Sequence, residues 1–115
     1  MSTPMAANRS DHHSLAEKLK RRVLDGLGET DPLLRQRVAA RAAGGPPIEP
    51  PFDSLACQIA EAAYRVTDAQ VTSVLKATKT EKAAFEIVAT AAAGAGLFRW
   101  EQAIKALKES DNAPA

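Results

Sequence analysis

Residues 91–96 read Ala-Ala-Ala-Gly-Ala-Gly, in the middle of a stretch that keeps helical periodicity from Glu81 to Lys108. This run constrains the fold more than any other feature. Alanine is the strongest helix former, whereas each glycine in a helix interior costs about 1 kcal/mol relative to alanine. Two glycines there predict either close approach by another helix backbone or a bend that splits the stretch in two. The chain is 45% hydrophobic but only 4% aromatic, so small aliphatic side chains must supply most of its burial. At 115 residues it fits one domain, large enough for a core without disulfides or a metal. An alanine core gains little area per residue, and such a chain tends to take further burial from a partner or from copies of itself.

The remaining punctuation is also helical. Residues 1–13 lack periodicity and read as a disordered tail. Ser14 and Glu17 form a capping-box pattern, after which Leu15, Leu19, Val23 and Leu27 share one face until Gly26 and Gly28 end the helix. Asp31-Pro32 opens a second helix, with an aspartate cap and a proline at the first position. Leu34, Val38 and Ala42 make its thin apolar stripe, and Arg35, Arg37 and Arg41 crowd the rest. Residues 44–51, GGPPIEPP, hold four prolines and favour an extended course. They read as a semi-rigid connector (44–52) between an N-terminal helical pair (14–43) and a C-terminal helical core (53–109).

Within that core, Asp53 or Ser54 caps a helix with Leu55, Ile59, Ala62 and Ala63 inside, ending near residues 64–66. Thr67 and Gln70 form a second capping box, before a helix with Val71, Val74 and Leu75 inside. Thr80-Glu81 opens the last stretch, with an apolar face of Phe85, Val88, Ala92, Leu97, Trp100 or Glu101, Ile104 and Leu107. Residues 110–115 read as a frayed tail. The expected fold is a small all-α domain of five to six helices.

Residues 64–107, YRVTDAQVTSVLKATKTEKAAFEIVATAAAGAGLFRWEQAIKAL, resemble the alkylhydroperoxidase D-like superfamily, which includes carboxymuconolactone decarboxylase. A short capped helix ending in leucine, a Thr-Glu helix start, a Phe-Glu-Ile-Val entry and an alanine-rich run into Arg-Trp-Glu carry the resemblance. It implies an all-helical fold that assembles as a dimer, trimer or hexamer. It also implies, for redox members, a Cys-x-x-Cys pair, a nearby histidine and a glutamate relay. The chain departs from that pattern: Cys57 is its single cysteine, followed by Gln58, Ile59 and Ala60, and its two histidines are His12 and His13. Two-thiol chemistry needs a second thiol to resolve the first sulfenic acid, so this chain cannot perform it unaided.

The candidate site residues are therefore few. Cys57 reads first as a small buried hydrophobe and second as a reactive thiol near a helix start. Glu86 reads as an edge residue paired with Lys82 four positions earlier, or else as a buried acid. Trp100, Tyr64 and Phe98 read as core or interface anchors rather than a stacking site. Ala92, Gly94, Gly96, Leu97 and Trp100 form the candidate interface. No cofactor motif or metal-ligand spacing is present, and His12-His13 offers no preformed geometry. The net charge of +1 gives no general attraction to nucleic acid. A nucleic-acid accessory role would have to draw on Lys18, Lys20, Arg21 and Arg22 with Arg35, Arg37 and Arg41. No run is apolar enough to span a bilayer, and nothing at the N-terminus reads as a secretory signal, so a cytoplasmic location is expected. The leading expectation is a non-catalytic helical protein that binds copies of itself or a helical partner. A single-cysteine peroxidase or decarboxylase-like enzyme using Cys57 comes second.

Overall fold

The computed structural model describes residues 8–26 and 28–112. Five helices and a short 3-10 turn make up an all-α domain: α1 (Asn8–Asp25), α2 (Pro32–Ala42), α3 (Phe52–Ala62), the turn Ala63–Arg65, α4 (Asp68–Thr78) and α5 (Glu81–Asn112). No strand occurs among the described residues.

Most helix starts follow their local chemistry. Asp31 accepts from the Leu33 amide at 3.0 Å, with Pro32 behind it at the first helical position. Thr67 and Gln70 exchange both capping-box hydrogen bonds at the start of α4. Thr80 accepts from the Ala83 amide at 3.1 Å and opens α5. Two starts differ from expectation. Helix α1 begins at Asn8, so Ser14 and Glu17 lie within it rather than at its cap, and residues 8–13 are helical rather than tail. Helix α3 begins at Phe52, which leaves Asp53 in the first turn, where it accepts from the Ile48 amide at 3.0 Å. Between α4 and α5 the chain turns at Lys79, a non-glycine residue with φ of 74°.

One core joins all the helices from α2 onward. Val38 of α2, Leu55 of α3, Val74 of α4 and Ile87 of α5 are fully buried in one cluster, to which Ile48 from the proline-rich segment adds its side chain. Residues 44–51 therefore turn the chain within a single packing unit and do not separate two. Arg41 donates to the Gly45 carbonyl at 2.9 Å and Arg37 pairs with Glu49 at 3.0 Å, fixing the segment to α2.

Helix α5 is one unbroken helix, continuing past Ser110 to Asn112. At 1.5 Å per residue it measures about 48 Å, close to the long dimension of the molecule, 52 Å. Its buried face is Ala84, Ile87, Ala91 and Ala95, together with Ala83, Thr90 and Gly94. The expected face of Phe85, Val88 and Ala92 is rotated from this one. Phe85 is 73% exposed, and Ala92 is exposed too. Small side chains face inward because α2 crosses there at backbone range. A Cβ on Gly94 would lie 2.5 Å from the carbonyl oxygen of Ala39 and 2.7 Å from its Cα. Leu15 and Val71 are likewise exposed rather than inward-facing.

Gly94 and Gly96 are thus opposite cases on one helix. A Cβ on Gly96 would meet nothing within 4 Å. Gly94→Ala is expected to lose about 1–3 kcal/mol through overpacking against α2. Gly96→Ala is expected to gain about 0.5–1 kcal/mol through helix propensity. Urea unfolding of the two variants beside the parent measures both, and equal effects would rule out the close crossing.

Candidate functional site

The most organised polar arrangement lies where the α1 C-terminus, the α2 N-terminus and α5 meet. Arg35 occupies the inward face of α2, one position after Leu34 and three before Val38, and is only 3% exposed. Its Nη1 donates to the Val23 carbonyl at 3.1 Å and its Nη2 to the Gly26 carbonyl. A helix end leaves its last carbonyls without partners and carries partial negative charge, and a guanidinium there satisfies both. Its Nε has no hydrogen-bond partner among the described residues, but sits 3.5 Å from Oε1 of Glu86.

Glu86 in turn straps down the chain leading into α2. Its carboxylate accepts from the Glu29 amide at 2.9 Å, the Thr30 amide at 3.0 Å and the Thr30 hydroxyl. The carboxylate passes close to Gly28: a Cβ there would lie 2.5 Å from its oxygen, so a side chain at this position would make the carboxylate shift. Burial pushes the carboxyl pKa upward and is the largest single influence. The Thr30 hydroxyl, the two amides and the Arg35 charge together outweigh it, so the pKa lies below the ordinary glutamate value. Glu86 is therefore a structural anion. The expected Glu86–Lys82 pairing is not the one formed: Lys82 reaches Glu29 at 3.4 Å instead.

A second polar group surrounds Cys57. Arg41 Nε donates to Asp53 Oδ1 at 2.8 Å, and the Cys57 thiol lies 4.0 Å from Asp53 Oδ2. The Ile48 amide is the main cause of Asp53's lowered pKa, with Arg41 adding to it, while the hydrogen bond that Arg41 donates to Asp53 raises Arg41's own pKa. Cys57 is half-buried, neither sealed in the core nor freely exposed. Cys57 and Glu86 belong to these two separate groups, and nothing joins them into one constellation. No group of three or more His, Cys, Asp or Glu able to hold a metal occurs among the described residues. The side chains of His12 and His13 lie outside the described ones.

The basic residues of α2 do not form a common surface with those of α1. Arg35 is buried, and Arg37 and Arg41 are paired with Glu49 and Asp53. Lys18, Arg21 and Arg22 are exposed on α1, and the side chain of Lys20 lies outside the described ones.

Of the candidate interface residues, Gly94 is buried by α2 within the chain, whereas Ala92, Gly96 and Trp100 are exposed and Leu97 is half-buried. Beside them runs an apolar groove of about 270 Å³ between the end of α1, α2 and α5, with Gln36 and Glu101 among its lining. Beyond Glu101, every described side chain of α5 is exposed except the half-buried Ile104. No helix among the described residues is long and apolar enough to cross a membrane.

Comparison of the chain with protein-family models, with curated proteins and with solved structures finds no match in any of the three.

The Arg35–Glu86 contact has a measurable acid dependence. The folded pKa of Glu86 lies below its unfolded value, so its stabilisation is complete above the ordinary value of 4.5 and is lost as pH falls through the folded value. Glu86→Gln keeps an acceptor but leaves the Arg35 charge uncompensated. About 3 kcal/mol should be lost at neutral pH, the low end for a broken buried pair because the carboxylate is 21% exposed. The variant's stability should also fall less steeply than the parent's below pH 4.5. Urea unfolding across pH measures both effects, and parallel acid limbs would contradict the assignment.

Proposed function

We propose that this protein is a non-catalytic helical module that associates with copies of itself or with a helical partner, using the distal half of α5. The observation that carries this reading is the apolar series Leu97, Trp100, Ile104 and Leu107. Its three-four-three spacing is that of a coiled-coil seam. Phe98, Trp100 and Leu107 are exposed, Leu107 at 59%. Burying each such side chain against a partner would contribute about 1.5–3 kcal/mol. A helix that served only as a solvated arm would be polar all round. Arg99, Glu101, Lys105 and Lys108 flank the seam with both charge signs. The resemblance of residues 64–107 to alkylhydroperoxidase D-like proteins fits the same reading, as a frame that has kept its helices and lacks the paired thiols.

Sedimentation of the full chain over a wide concentration range tests this. The mass should rise with concentration, and Leu107→Asp should return it to monomer with unchanged helicity. A monomer at every workable concentration would reject the proposal.

A second reading, single-cysteine enzymatic chemistry, is favoured by one observation: Cys57 is half-buried beside Asp53 and Arg41 rather than enclosed by apolar groups. Under the leading reading, Cys57 in the folded protein reacts with a thiol reagent more slowly than free cysteine, and Cys57→Ser changes stability by less than about 1 kcal/mol. Reaction faster than free cysteine at neutral pH would favour the enzyme.

A further inference from the structure

The side of α5 turned away from the core is apolar over most of its length. Three large side chains mark it: Phe85 is 73% exposed, Leu107 59% and Trp100 42%. Between them Ala89, Ala92, Gly96 and Ala103 are exposed as well. Phe85, Gly96 and Leu107 are spaced eleven residues apart, close to three full turns. All seven positions therefore stay on one side of a straight helix, opposite the buried Ile87, Ala91 and Gly94. A surface helix that packs on one face alone carries polar residues on the other. Here the charged residues of α5 stand to either side of this stripe and none falls within it.

We propose that this face pairs antiparallel with α5 of a second copy, across a two-fold axis at Gly96. The occupant is identified by the symmetry of the residues themselves. Phe85 and Leu107 stand eleven positions to either side of Gly96, Ala89 and Ala103 seven, and Ala92 and Trp100 four. An isologous interface requires this self-complementarity. In the antiparallel pair Phe85 meets Leu107 of the second copy, and Trp100 covers the small Ala92. The two glycines meet at the axis, where a Cβ would find nothing within 4 Å in its own chain. A parallel pair would instead stack Trp100 on Trp100 and hold the alanines apart across a gap. The charged flanks agree with the antiparallel register: Lys82, 80% exposed, comes beside Asp111 of the second copy, and Glu81 on the other flank comes beside Ser110. The stripe runs about 33 Å, and at a helix width of about 10 Å the two copies cover on the order of 700 Å². That area belongs to a weak, reversible pair. The proposal rests on the reading of α5 as an association surface, shares Trp100 and Leu107 with the distal seam, and adds the partner, its direction and its register.

The test uses full chains carrying Cys57→Ser and one new thiol each, oxidised at high concentration and run on a non-reducing denaturing gel. Position 96 meets its own counterpart, so Gly96→Cys should give a disulfide-linked dimer. Position 89 lies about 21 Å along the helix from its counterpart, as does position 103. Ala89→Cys and Ala103→Cys should therefore each stay unlinked alone and link to one another when mixed. Gly96→Glu, whose side chain has open space in the single chain, should weaken the dimer seen by sedimentation by about tenfold or more, because its carboxylate is buried unpaired at the axis. Ala92→Glu serves in its place if circular dichroism shows the first variant unfolded. Ala89→Cys linking to itself as readily as to Ala103→Cys overturns the proposal. A concentration-dependent dimer that Gly96→Cys fails to trap, or that Gly96→Glu leaves unweakened, also overturns it, while leaving association through the distal seam intact. A monomer at every concentration overturns both together.

Discussion

Everything in this domain rests on how closely α2 and α5 pass each other. With so few aromatic side chains to fill space, a core can close only if backbones come together, and the absent side chain of Gly94 lets Ala39 rest directly on α5. That crossing fixes the remaining geometry. Arg35 stands about one turn from Ala39, and Glu86 about two turns from Gly94, so the two charges are carried to the same junction. Val38 and Ala42 are pressed against Ile87, Ala91 and Ala95 by the same approach, and α3 and α4 close over what remains.

A buried guanidinium in so small a domain is costly unless it is compensated, and here carbonyls and a carboxylate surround it. The arrangement ties the end of α1 and the backbone after it to α2 and α5. It also buries Arg35, whereas Arg37 stays half-exposed in its pair with Glu49 and Arg41 is partly buried beside Asp53. The polar groups of the interior are mostly spent on holding the helices in register. Apolar area facing outward includes the far half of α5 and the groove at its root, besides the side chains of Leu15, Leu33, Tyr64 and Phe85.

The helix boundaries that were legible in the sequence are those written by local chemistry. Asp31-Pro32, Thr67 with Gln70, and Thr80-Glu81 each act over three or four residues, and each cap is made as read. The facing of the helices was less legible, because it depends on contacts distant in sequence. Phe85 looks like the anchor of α5 by size, yet the small residues beside it face inward, since only they admit α2. The glycines at 94 and 96 announced a close approach, but only one of them has a neighbour, and nothing local distinguishes them. Arg35 gave a weak signal by falling three positions before Val38, on the apolar face. Glu86 found Arg35 rather than Lys82, a partner separated from it by fifty residues that no helical spacing rule reaches.

The closeness of α2 to α5 has a consequence for the order in which the molecule can be made. Ala39 emerges from the ribosome long before Gly94, and α3 and α4 are synthesised between them. Until α5 appears, α2 can pack only against α3 and lacks the face formed by Ile87, Ala91 and Ala95, and Arg35 has no carboxylate. The domain therefore cannot mature helix by helix during translation. Contacts between segments so far apart must wait for the intervening chain to be closed into a loop, so the packing of α2, α3 and α4 stays incomplete until α5 is delivered to close the core.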